Sequence, residues 1–398
     1  MKRLLLIFLI CCSFNLLGQE DRLEQLQQTI QQYQADRLIR VEAFITKTDQ
    51  PKVITFDDAP ALYLYDVINN KPIYLSSDNL GAAVNVNTDQ LITGAAGLQL
   101  NGEGLRLLIW EEPGGPREKH VEFEDRLLPG GDFESNAPVN HSTHVTGTIM
   151  GAGINAEARG MAPKAGAVVY NFTNDEAEIA QELATNAETM ILSNHSYGVP
   201  AGWRFEGNSW SWNGDEDIDP NEDWKFGFYS SGARNWDQLV YDAPYYLMVK
   251  SAGNSRNGVG DGSRPPNGPY DQIVFQSAAK NIVTVGATQK FSGTYNDPGQ
   301  IQMSSFSSWG PTDDGRIKPD ISAPGVSILS SAASADNAYV RLQGTSMSSP
   351  VVMGSLALIQ QLHQKRTGRF MKAATLKALL LHTAHEAGNA VGPDYEFG

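Results

Sequence analysis

From residue 98 onward the chain is punctuated by short apolar runs: "LRLLIW" (105–110), "GAVVYNF" (166–172), "ETMILSNHSYG" (188–198), "YYLMVKSAGN" (245–254), "NIVTVGAT" (281–288) and "VSILSS" (326–331). Segments with helical spacing lie between several of them: one starting near His141, "DEAEIAQELATNAE" (175–188) and "GARNWDQLVYD" (232–242). Strands that lack polar alternation need cover on both faces, and helices that return the chain between them make the strands parallel. The expected fold is therefore α/β, three layers around a mostly parallel sheet, preceded by a small α+β segment. In such sheets functional groups collect where strands end, so chemistry is sought in the residues that follow each run.

The first residues, "MKRLLLIFLICCSFNLLGQE", place Lys2 and Arg3 before an apolar run from Leu4 to Cys12, with Gly18 near a plausible cut. This is the pattern of a secretory signal peptide over residues 1–19, too short for a stable span, so a secreted product (extracellular or periplasmic) without a membrane anchor is expected. Both cysteines, Cys11 and Cys12, fall inside it and neither follows a small residue, so lipidation is not expected. A mature chain without cysteine excludes disulfides, thiolate nucleophiles and cysteine metal sites. The formal net charge of −15, with no basic stripe, argues against a nucleic-acid partner. Residues 20–97 begin Gln- and Glu-rich and continue with strand-like "ALYLYDV" and "KPIYL".

Four places carry candidate chemistry. In "GTSMSSPVV" (344–352) Ser346 stands where an apolar helix begins, which suits an N-cap or a nucleophile; Pro350 is allowed in or near the first turn, where its missing N–H removes no intrahelical bond. In "NHSTHVTGT" His141 and His144 share a helix face. Zinc is disfavoured, since no Glu follows the first His and no third ligand is evident; His144 reads as a packed core histidine and His141, nearer the helix start, as the better base. Asn254 in "SAGNS" ends an apolar strand, with Gly253 permitting a close turn, and reads as a turn residue or an amide donor. Ser196, Tyr197 and Gly198 end another and could pair with an extended peptide.

Taken together, "HSTHVTGT", "GMAPKA" (160–165), "SNHSYG", "SAGN", "SFSSWGPTDDGRIKPDISAPG" and "GTSMSSP" resemble, in order and spacing, the subtilisin-like serine proteases, the subtilases, from about residue 98 to 398. The resemblance implies a secreted serine endopeptidase acting on polypeptides, with His141 as general base, Ser346 as nucleophile and Asn254 as oxyanion donor. It also implies that Ser196, Tyr197 and Gly198 wall the substrate channel, with Gly253 beside them. No catalytic cofactor is implied. Structural calcium is conceivable at Asp215, Asp217 and Asp219, although that loop lacks the glycine and distal glutamate of an EF-hand. Residues 20–97 occupy a propeptide's place and could act as an intramolecular inhibitor.

The third member of the triad departs from the pattern. The family places Asp-Ser-Gly or Asp-Gly-Gly after its first strand; here Trp110 is followed by Glu111, Glu112, Pro113, Gly114 and Gly115. One secreted branch resembles Trp-Asp-Gly-Gly-x-x-Arg-x-x-His-x-Glu-Phe, matched here by Arg117, His120, Glu122 and Phe123 with one residue inserted. Glu111 is the expected acid and Glu112 the second choice. The alternative function is a catalytically impaired, peptide-binding relative. "GPDYEFG" also arrives before the final helix that the resemblance leads one to expect, as in a C-terminally truncated domain.

Overall fold

The computed structural model describes residues 39–48, 53–54, 62–68, 71–76, 79–94, 97–133, 137–186, 189–206, 209–389 and 391–398. The signal-peptide segment lies outside these residues. The chain divides into two compact units, Met1–Ser76 and Ser77–Gly398. The first holds a helix α1 over 39–48 and three antiparallel strands, β1 (Val53–Ile54), β2 (Leu62–Ile68) and β3 (Lys71–Ser76), with Val41 and Val67 buried in a small core. The division falls at Ser76 rather than at residue 97. The reason is burial: between α2 (Asn79–Asn85) and α3 (Thr88–Thr93), α2 sends Ala82 and Ala83 into the main core of the second unit.

The second unit is built on β4 (Arg106–Glu111), β5 (Leu127–Pro129), β6 (Gly166–Asn171), β7 (Leu192–His195), β10 (Leu247–Ser251), β11 (Val283–Thr288) and β12 (Ile321–Pro324). They form one seven-stranded sheet in the order β12-β11-β10-β7-β4-β6-β5, and every neighbouring pair is parallel. The helices are α4 (Asn140–Met150), α5 (Asp175–Asn186), α6 (Ser231–Asp242), α7 (Thr345–Thr367) and α8 (Ala373–His382). Two hairpins are added: β8 (Trp203–Glu206) with β9 (Ser209–Trp212), and β13 (Ile328–Ser331) with β14 (Tyr339–Leu342).

Alternation along each strand feeds two cores. Leu107, Ile109, Leu247 and Val249 join Val145, Ile149, Val351 and Met353 of α4 and α7, while Leu108, Trp110 and Met248 join Ile179 and Trp236 of α5 and α6. Both faces are thus covered, which is why the strands read as unbroken apolar runs. Chain order places β6 on one side of β4 and β7 on the other, so the crevice of a parallel sheet opens at the carboxyl ends around β4.

Glycine allows a close helix contact. A Cβ on Gly354 of α7 would lie 2.6 Å from the Met161 Cβ, so the "GMAP" turn packs directly on the helix backbone. Gly354→Ala is expected to destabilise the protein by about 1–3 kcal/mol through overpacking, although in an exposed helix it would stabilise by about 0.5–1 kcal/mol; a lower urea midpoint at unchanged slope is the readout. No helix among the described residues is long and apolar enough to cross a membrane.

Candidate active site

Glu111 is the last residue of β4, 1% exposed, and His141 is the second residue of α4. His141 Nδ1 donates to Glu111 Oε2 at 2.7 Å. This bond fixes the neutral ring with its proton on Nδ1 and leaves Nε2 as an acceptor. Glu112 is partly exposed and makes no bond to the ring among the described contacts; its carboxyl is raised above its usual range chiefly by burial. The Glu111 charge is the largest influence on the imidazole, stronger than the opposing effect of burial, and the His141 pKa is pushed up to about 9. His144 is wholly buried, donates from Nε2 to the Ile328 carbonyl at 2.7 Å, and has its pKa driven down to about 4 by burial. It stays neutral and packs in the core.

Ser346 is the second residue of α7, so it does not cap that helix; Gly344 occupies the cap position and offers no side chain. Pro350 lies just past the first turn, and its missing N–H deprives the Ser346 carbonyl of its helical partner. Ser196 makes good the loss: its Oγ donates to the Ser346 carbonyl at 3.0 Å, while Ser346 Oγ donates to the Ser196 carbonyl at 3.0 Å. Asn194 Nδ2 donates to Ser196 Oγ and Ser349 Oγ donates to Asn194 Oδ1, closing a network between the end of β7 and the first turns of α7.

Asn254 follows β10. Its Oδ1 accepts from the Thr345 N–H at 2.9 Å and from the Thr345 hydroxyl at 3.0 Å. A backbone N–H can only donate, so this pair fixes which way the amide points and leaves Nδ2 on the other side. A Cβ placed on Gly344 would sit 3.3 Å from Asn254 Nδ2 and 3.6 Å from the Ser346 nitrogen. Two N–H donors therefore border one gap, and a glycine keeps it open. Gly253 turns the chain at φ +116 and donates to Thr345 Oγ1 at 3.1 Å. Tyr197, Gly198, Gly253, Asn254 and Ser346 all line a cleft of about 430 Å³. A larger cavity, about 560 Å³, lined by Asn85, Ile321 and Phe397, holds none of these residues.

The remaining motif residues serve the frame. Glu122 is buried and accepts from the N–H groups of Gly153 at 2.6 Å and Asn155 at 2.8 Å and from the Tyr339 hydroxyl at 2.8 Å; His120 bonds the Ala338 carbonyl; Arg117 pairs with Asp336. Asp215 and Asp219 use side-chain oxygens on the N–H groups of Asp217, Asn221 and Glu222, and no group of three or more Asp, Glu, His or Cys suited to a metal exists among the described residues. Gly344, Thr345, Asn194 and Lys250 were not singled out from sequence. A lysine inside the apolar run "YYLMVKSAGN" is the one visible signal among them.

A parallel α/β unit with an acid, a histidine and a serine at adjoining strand and helix ends defines a class of protein. The chain belongs to the subtilase family, whose pattern residues 117–398 match. That match begins downstream of Glu111, so the acid position rests on geometry. Over 290 residues the chain is 28% identical to serine protease AprX of Bacillus subtilis (strain 168), covering 67% of this chain and 59% of that protein. Over 94 residues it is 45% identical to C5a peptidase of Streptococcus pyogenes serotype M3, covering 24% of this chain and only 8% of that protein. Among solved structures, a cold adapted subtilisin-like serine proteinase superposes with a TM-score of 0.47 at 21% identity, covering 75% of this chain and 89% of the other.

Glu111→Gln is expected to bring the His141 pKa down from about 9 toward the ordinary 6.5, as read by NMR titration of the ring. Because the native value is raised, the pair's contribution to stability is complete below about pH 6.5 and fades as pH rises through about 9.

Proposed function

We propose that the chain is a serine endopeptidase that hydrolyses extended polypeptide through Glu111, His141 and Ser346, with Asn254 and the Ser346 N–H as oxyanion donors. The observation that carries this reading is the 2.7 Å bond from His141 Nδ1 to a buried carboxylate, which leaves Nε2 available for a hydroxyl proton. In the reaction, Ser346 Oγ turns from the Ser196 carbonyl toward Nε2, gives up its proton and attacks the peptide carbonyl. His141, now cationic, is stabilised by Glu111 and returns the proton to the leaving amine. Negative charge on the carbonyl oxygen develops in the gap bordered by Asn254 Nδ2 and the Ser346 N–H. Water then repeats the sequence on the acyl-enzyme.

A glutamate can take the acid's place because it carries the same charge. In the same reading residues 1–19 direct export, which the charge and apolar pattern of that stretch supports, and the part of the N-terminal segment that ends at Ser76, ahead of the catalytic unit in the chain, forms an intramolecular inhibitor. A second reading, a peptide-binding relative without turnover, is favoured by one observation: the Ser346 hydroxyl donates to the Ser196 carbonyl in this structure.

The two readings part on covalent labelling. A fluorophosphonate is expected to modify Ser346, casein is expected to be cleaved, and Ser346→Ala is expected to abolish both. Peptide binding with no labelling and no cleavage would leave only the second reading. Asn254→Ala is expected to lower kcat by about 10²–10³, the loss found when subtilisin itself is deprived of its oxyanion asparagine.

A further inference from the structure

β10 carries a lysine in the interior of the sheet. Lys250 is 2% exposed on the face shared with Met248, and no carboxylate pairs with it among the described residues. Its Nζ donates to the Tyr197 carbonyl, lies 3.4 Å from Ser251 Oγ and stands 4.9 Å from the centre of the Tyr197 ring. Burial pushes its pKa down to about 7, against the attraction of Asp175 and Glu111. An unpaired buried ammonium is costly, so the carbonyl that it holds is the feature to explain.

That carbonyl belongs to the middle residue of Ser196, Tyr197 and Gly198. The Tyr197 side chain is tied down as well: its hydroxyl donates to Asp175 Oδ2 at 2.7 Å and accepts from His195 Nδ1 at 2.8 Å. His195 is kept neutral by burial and by the Lys250 charge, both of which press its pKa well below the ordinary value. In an extended segment successive carbonyls point opposite ways. The Tyr197 carbonyl is drawn back to Lys250, and the neighbouring Ser196 carbonyl faces Ser346. A Cβ on Gly198 would lie 3.9 Å from Nζ, so the ammonium stands directly behind the wall of the cleft.

We propose that Lys250 is a positioning residue that holds Ser196–Tyr197–Gly198 in the register at which an extended polypeptide pairs along it with its scissile carbonyl at Ser346. The assignment rests on the serine peptidase reading above. Lys250 touches no substrate; it acts through the Tyr197 backbone.

The test compares native protein, Lys250→Met and Lys250→Gln on a hexapeptide amide and on a small fluorophosphonate that makes no use of the pairing segment. For Lys250→Met, KM for the hexapeptide is expected to rise about tenfold, the size of one hydrogen bond, with kcat and the labelling rate changed less than about twofold. Lys250→Gln, which keeps a donor, is expected to recover most of the lost affinity. Equal losses on peptide and phosphonate, or an unchanged KM, would overturn the proposal. So would loss of cooperative melting in both variants, which would leave Lys250 a role in the core alone. Absence of labelling in the native protein would instead defeat the peptidase reading, a distinct outcome.

Discussion

All seven strands run the same way, and that single constraint brings the site together. A parallel sheet has one edge at which every strand ends, and three adjacent strands, β4, β7 and β10, deliver Glu111, Ser196 and Asn254 to it. α4 and α7 pack against the same face of the sheet, and each presents its functional side chain from its second residue. What then fixes α7 is a defect in its own ladder. Pro350 leaves the Ser346 carbonyl without a helical N–H, Ser196 supplies a hydroxyl, and the helix start is bound to the end of β7. The residue proposed as nucleophile is thus held by its backbone, while its hydroxyl rests on the Ser196 carbonyl.

The reach of Glu111 is set by where β4 stops. The strand includes Glu111, so its side chain starts within the sheet and reaches His141 Nδ1 at 2.7 Å. Beyond it the chain turns sharply through Gly114 and Gly115, both at positive φ, and a Cβ on Gly115 would strike the Phe133 ring at 2.1 Å. Glu112, one position on, is left partly exposed.

Much of this was legible in the sequence, for identifiable reasons. Unbroken apolar runs signalled a doubly covered parallel sheet because both faces of each strand are buried. His141, Ser346 and Asn254 were marked by short motifs whose glycines and small residues the geometry requires. Three things were hidden. The partner of the Ser346 carbonyl was one, since sequence shows a proline's cost without the distant hydroxyl that meets it. The division of the chain was expected at residue 97, because α2 resembles a surface element until Ala82 and Ala83 are seen in the core. The reach of Glu111 as against Glu112 depended on which residue ended β4, a boundary that patterning does not resolve to one position.

The electrostatic pairing of Glu111 with His141 is the claim on which the proposed chemistry turns, and the pH dependence of kcat/KM on a peptide substrate tests it most directly. If His141 is the base and Glu111 its partner, activity rises with the loss of one proton at a midpoint above the ordinary imidazole value of 6.5 and toward about 9. A midpoint at or below about 6.5, or a rate indifferent to pH across that range, would mean that the carboxylate does not hold the imidazole that does the work.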